Sequence, residues 1–127
     1  MASKGKGFRS LSVTGFEILV GKGDAENDAL TFDVAEPHDF WLHVAGVSGS
    51  HVIVRNPQHL RSLPREVRDV AAALAAYHSK ARSARGKVAV HLCQARDVRK
   101  PGGAPAGQVQ LKRYETLRIY PRDVSSG

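Results

Sequence analysis

A single cysteine, Cys93, stands in the whole chain. No internal disulfide can form, and that usage fits a reducing compartment. No apolar run approaches the roughly 18 residues that a membrane-spanning helix needs. The opening residues, Met1-Ala2-Ser3-Lys4-Gly5-Lys6-Gly7, carry no apolar h-region, so a secretory signal is not expected there and a cytoplasmic location is. Acid is also scarce: 12 Asp and Glu stand against 19 Lys and Arg, a formal charge of +7 with a pI near 10.0. Such an excess favours a polyanionic partner, in the cytosol RNA, DNA or a ribosome, over a merely solvated basic surface. At 127 residues the chain is long enough for one core and short for two, and 42% hydrophobic residues fit a globular protein.

What is present concentrates between Asp39 and Arg55. Asp39-Phe40-Trp41-Leu42-His43-Val44 and His51-Val52-Ile53-Val54-Arg55 both alternate with period two, the mark of a strand with two distinct faces. Gly46, Ser48 and Gly49 lie between them and suit a reversal. If the strands pair, His43 falls opposite His51, Trp41 opposite Ile53 and Asp39 opposite Arg55. One face then holds Phe40, Leu42, Val44, Val52 and Val54. The other holds the only tryptophan, two histidines and an acid–arginine pair, and Trp41 is expected to be at least partly exposed there.

The flanks read as a single α+β domain, mainly antiparallel sheet with one long and one short helix packed on it. Residues 1–7 read as a flexible basic tail, 8–122 as the domain and 123–127 as a flexible tail. Two short strands meet at Thr14-Gly15. A short helix is expected over 25–34 with Asp24 as its cap. Gly21-Lys22-Gly23 lacks the spacing of a phosphate loop, and acids at 24, 26 and 28 oppose one. Pro64 opens a long helix with Val67, Val70, Ala71, Leu74, Ala75 and His78 on one stripe, expected to run to Gly86. His78 reads as a packed or capping residue. A strand over 87–94, an exposed loop with a basic stem at 96–107, and a hairpin of 108–112 with 116–120 complete the chain.

Three readings compete for the polar face. Trp41 and the imidazoles could stack on unpaired bases while Arg55, Arg99 and Lys100 take phosphates, as single-stranded RNA recognition requires. Asp39, His43 and His51 could instead bind a metal for phosphodiester hydrolysis, although no fourth ligand and no activated nucleophile is visible. In the third reading Trp41 packs under a loop, the histidines bond to backbone and Asp39 pairs with Arg55.

Several runs resemble one known family. Gly15-Phe16-Glu17-Ile18-Leu19-Val20-Gly21-Lys22, Asn27-Asp28, Asp39-Phe40-Trp41-Leu42-His43 and Gly49-Ser50-His51-Val52-Ile53-Val54 resemble the NFACT-R domain, as do Ala75-Ala76-Tyr77-His78-Ser79, Lys87-Val88-Ala89-Val90, Val98-Arg99-Lys100-Pro101 and Gly107-Gln108-Val109. The likeness extends over roughly residues 8–121. In that family the domain usually ends a longer protein of ribosome-associated quality control, of the RqcH/NEMF type, and is regarded as an RNA-binding module. The resemblance implies a non-catalytic domain that binds tRNA or rRNA, with the large ribosomal subunit as a further partner and no cofactor, metal, membrane or small-molecule substrate. The alternatives are a general single-stranded nucleic-acid binder and the metal-dependent phosphodiesterase. The chain looks like a free-standing form. The expected contact residues are Asp39, Trp41, His43, Ser50, His51, Arg55, Arg96, Arg99, Lys100 and Lys112.

Overall fold

The computed structural model describes residues 7–124. Residues 1–6 and 125–127, most of both expected tails, lie outside the described residues. Strands β1 (Phe8–Val13) and β2 (Phe16–Gly21) form a hairpin. Thr14 and Gly15 both take positive φ, 46° and 89°, the twist that a two-residue hairpin loop favours. Helix α1 (Asp24–Ala29) then runs into a π-helical turn, Leu30–Val34, closed by a bond from Ala35 N to Leu30 O of 2.9 Å. The cap is Gly23 with extended backbone and no side-chain bond, not Asp24, which is the first helical residue.

Strands β3 (Phe40–Val44) and β4 (Val52–Val54) pair as expected, Trp41 against Ile53. Helix α2 (Arg65–Tyr77) and β5 (Val88–Gln94) follow. β5 adds to β3 with His43 opposite His91. Two short strands, β6 (Val98–Arg99) and β7 (Gln110–Leu111), pair with each other as a separate ribbon, and β8 (Glu115–Ile119) joins β5. The main sheet is antiparallel throughout, in the order β1-β2-β4-β3-β5-β8. This is a single α+β domain.

Two sequence-based expectations fail here. Residues 108–112 do not form a hairpin with 116–120, because 110–111 pair back with 98–99 and 115–119 pair with β5. Helix α2 stops at Tyr77 rather than Gly86. His78 leaves helical geometry at φ −90°, ψ 47°, and Ser79 Oγ caps Ala76 O at 2.6 Å while Ser79 bridges to Gly49. The basic residues beyond it belong to turns.

The sheet is covered on both faces. Ile18, Val20, Phe40, Leu42, Val52, Val54, Val90 and Leu92 pack against α2, whose residues Ala71–Ala76 are all buried. Alanines let the helix axis lie close to the sheet, so burial comes from area rather than from large side chains. On the other face Leu19, Trp41, Ile53 and Cys93 meet Leu30 and Val98, with Val34, Val109 and Leu111 beside them. The covering layer is therefore the π turn and the β6–β7 arm. Burial, with the nearby Asp97 charge, pushes the Cys93 thiol up to about 12, which makes it an inert core residue.

Candidate nucleic-acid interface

The second layer decides what the polar face of β3 and β4 can do. Trp41 is only 1% exposed. Its expected exposure is thus corrected: the indole lies under the π turn, where Nε1 donates to Thr31 Oγ1 at 3.1 Å. Thr31 Oγ1 lies 2.8 Å from His51 Nδ1, and His51 Nε2 lies 3.3 Å from Gly107 O. The chain of bonds closes with every atom used when Thr31 O–H donates to Nδ1 and Nε2–H donates to Gly107. That arrangement needs a neutral imidazole. Burial, aided by the charge of His43, lowers the His51 pKa to about 4. Trp41 and His51 are therefore framework, as the packing reading held, and a base cannot stack on either while the fold is closed.

Asp39 is framework as well. Its carboxylate accepts Arg55 Nε at 2.9 Å, Glu36 N at 2.9 Å and Asn56 N at 2.7 Å, with the residue 2% exposed. The Asp39–Arg55 pairing was expected from register. The metal triad does not assemble: Asp39 is four strand residues, roughly 13 Å, from His43. Among the described residues no group of three His, Cys, Asp or Glu is arranged to hold a metal.

His43 remains open to a ligand. Half-buried at the end of β3, it lines a cavity of about 710 Å³. His91, Tyr114, Gln108 and the Gly46–Ser48 turn form other parts of its wall. The His43 ring lies 5.3 Å from His51 edge-on, and His91 lies 4.4 Å from the exposed Tyr114 ring. Burial lowers the pKa of both His43 and His91, which favours neutral rings, and hydrogen bonding to the Gly49 and Val44 backbone partly offsets this at His43. The residues that sequence reasoning missed are His91, Tyr114 and Thr31. The alternation of Val88, Val90 and Leu92 places His91 on the polar face and could have revealed it. Thr31 had no such signal, since its role depends on the π turn.

The floor and rim of the cavity are held by polar ties. Asn27 Oδ1 accepts His51 N at 3.0 Å and Asn27 Nδ2 donates to Gly49 O at 3.3 Å. The 100–109 loop is pinned by Lys100, whose Nζ pairs with Asp28 at 2.9 Å and donates to Pro105 O and Gln108 O. Asp28 Oδ1 also accepts Gly107 N at 3.1 Å. Lys100 thus shapes the cavity wall rather than standing free. Arg96, Arg99 and Lys112 are exposed on the same arm. Ser50 lies apart from these, its hydroxyl donating to Gly21 O.

A family model described as the NFACT protein RNA binding domain matches residues 6–113. The chain belongs to that family. Its curated relatives include the Rqc2 homolog RqcH of Streptococcus suis, 39% identical over 106 residues that cover 84% of this chain and 18% of the relative. The Rqc2 homolog RqcH of Bacillus subtilis is 38% identical over 110 residues, 87% of this chain and 18% of the relative. The chain thus spans 18% of the length of these relatives. Among solved structures, the C-terminal part of the fibronectin/fibrinogen-binding protein of Streptococcus suis superposes with a TM-score of 0.82 at 38% identity, covering 91% of this chain and 45% of the other.

Proposed function

We propose that this domain binds RNA without catalysis, taking an unpaired base of tRNA or rRNA into the cavity beside His43, in the service of ribosome-associated quality control. The observation that carries the reading is the family match over residues 6–113, to a domain described as RNA binding. The geometry supports it. About 710 Å³ admits a nucleobase, His43 and His91 offer neutral edges, and Tyr114 offers a face for stacking. Arg96, Arg99 and Lys112 can take flanking phosphates, and the net charge of +7 favours the encounter. Work on or near the large ribosomal subunit, in the cytoplasm, is part of this reading, and the likeness to the RqcH relatives supports it. None of the helices among the described residues is long and apolar enough to cross a membrane.

The test is crosslinking in cells followed by sequencing of the bound RNA, with a His43→Ala, Tyr114→Ala variant in parallel. Reads concentrated on tRNA or rRNA that disappear in the variant are expected. Reads spread over all transcripts would favour a general single-stranded binder, and an unchanged profile in the variant would remove the cavity from the reading.

A further inference from the structure

A second cleft lies beside the base cavity, and none of its cations figured among the expected contacts. It measures about 350 Å³ and is lined by Arg9 of β1, Lys22 after β2, and Lys80 and Arg82 beyond α2. Three segments, the two strands of the first hairpin and the turn beyond α2, thus bring four cations to one depression. Asp24 is the only carboxylate among its described lining residues, which leaves the cleft strongly positive. Several main-chain donors nearby are already used. Ser50 N donates to His78 O, Lys80 N to Ser48 O and Lys22 N to Gly7 O. Each of the four side chains ends in a cationic donor that a ligand in the cleft can engage.

His78 supplies the observation that singles this cleft out. It also lines the depression, and its Nε2 is the only buried side-chain nitrogen or oxygen among the described residues without a hydrogen-bond partner. A buried polar atom left unpaired costs about 1–3 kcal/mol, so its persistence calls for a partner. An anionic oxygen in the cleft would be one, accepting from Nε2–H and from the cations around it. Arg9, Arg82 and Asp123 are the charged groups that act on this imidazole. Burial and then Arg9 lower its pKa, with Arg82 adding to them and Asp123 opposing.

The two depressions adjoin. Asp24, Ser48 and Gly49 line both. The shared ridge is held low because Gly49 bridges to Ser79, and a Cβ on Gly49 would come within 2.6 Å of Ser79 Cβ. Resting on the RNA reading above, we infer that this cleft binds a backbone phosphate of single-stranded RNA whose base enters the His43 cavity across the Ser48–Gly49 ridge. Lys80, Arg82, Lys22 and Arg9 hold the phosphate oxygens and His78 Nε2 donates the remaining bond.

The test combines two measurements on the full chain. Binding of a single-stranded oligouridylate of about eight nucleotides is titrated against salt for the wild type, for Lys80→Glu/Arg82→Glu, and for Arg61→Glu/Arg65→Glu, before and at the start of α2, as control. Each phosphate contact on a single strand contributes about −0.7 to the slope of log K against log salt. The cleft variant should therefore flatten the slope by about 1.4 and weaken binding at least tenfold, while the control keeps the slope. Wild-type binding with a slope unchanged in the cleft variant overturns the cleft and leaves the RNA reading standing. The second measurement needs no variant: the pKa of His78, followed by NMR, should rise when inorganic phosphate is added. If the oligonucleotide does not bind at all, the RNA reading falls, and the His78 titration then decides the cleft alone. A rise sustains it as a phosphate site, and an unmoved His78 overturns it.

Discussion

At the scale of single residues, one hydroxyl ties together the most conspicuous side chains that the second layer buries. Thr31 joins Trp41 to His51, and through His51 to the Gly107 carbonyl. Trp41→Ala should accordingly cost roughly 3–5 kcal/mol in folding, the range for deleting a core aromatic, with loss of RNA binding only as a consequence of unfolding. Chemical denaturation measures the first, and binding at a temperature where the variant is folded measures the second. A variant that stays stable but loses RNA would return the indole to the surface. The register was readable from alternation, which paired Trp41 with Ile53 and Asp39 with Arg55. Exposure was not readable, because alternation tells which face a residue takes and not whether a second layer covers that face.

The same network carries a pH dependence. His51 titrates near the usual 6.5 when unfolded and near 4 when folded, so between those values the unfolded chain holds more protons. Its contribution to stability is therefore complete above about pH 6.5, declines as pH falls and is gone below about 4. The full span corresponds to roughly 3 kcal/mol. His43, His78 and His91 are shifted in the same direction and add to the slope. Urea midpoints should fall between pH 7 and pH 5, and His51→Gln should show a shallower fall from a lower starting stability. Equal slopes in the two proteins would remove His51 as the titrating group.

At the scale of elements, the β6–β7 arm is the part that sequence reasoning placed least well. Two prolines and several glycines between 101 and 107 read correctly as a loop. Yet two-residue strands offer no period to detect, and the pairing of Val98 with Leu111 spans the whole loop. What fixes the arm is polar: Lys100 on Asp28, with Asp28 also holding Gly107 N. A basic stem in the sequence thus divides into an internal clamp, Lys100, and exposed cations, Arg96 and Arg99. Lys100→Ala should release the loop, raising hydrogen exchange at Gly107 and its neighbours and costing up to about 1 kcal/mol, since the pair with Asp28 is partly open to solvent. Arg99→Ala should leave stability within about 0.5 kcal/mol. If both variants exchanged like the wild type, the clamp would have no mechanical role. Helix α2 was misjudged for a related reason. Lys80, Arg82 and Arg85 suit a helix C-terminus on charge, but the bridge of Ser79 to Gly49 ends the helix earlier, and Lys80 and Arg82 line the cleft they share with Arg9 and Lys22.

For the molecule as a whole, the excess of base over acid is the feature most directly tied to a measurable quantity. The cations are not spread evenly. Arg96, Arg99 and Lys112 are exposed on the arm whose residues Gln108, Val109 and Leu111 line the His43 cavity, while Arg9, Lys22, Lys80 and Arg82 line the adjoining cleft. A strand whose base sits in the cavity would have both groups of positive charge near it. Neutralising several phosphates at once releases condensed counterions, so log K should fall linearly with log salt, by about 0.7 per contact on a single strand and 0.9 on a duplex. Charge reversal at Arg96 and Arg99 together should reduce the slope by one to two such steps. It should weaken all RNA ligands alike, since phosphates carry no sequence information. His43→Ala, which removes an edge and not a charge, should leave the slope unchanged while erasing preference among bases. Titrations at four or five salt concentrations with two RNA sequences separate these effects. A flat salt dependence in the wild type would mean that the charge of +7 serves something other than RNA, and the functional reading would fall with it.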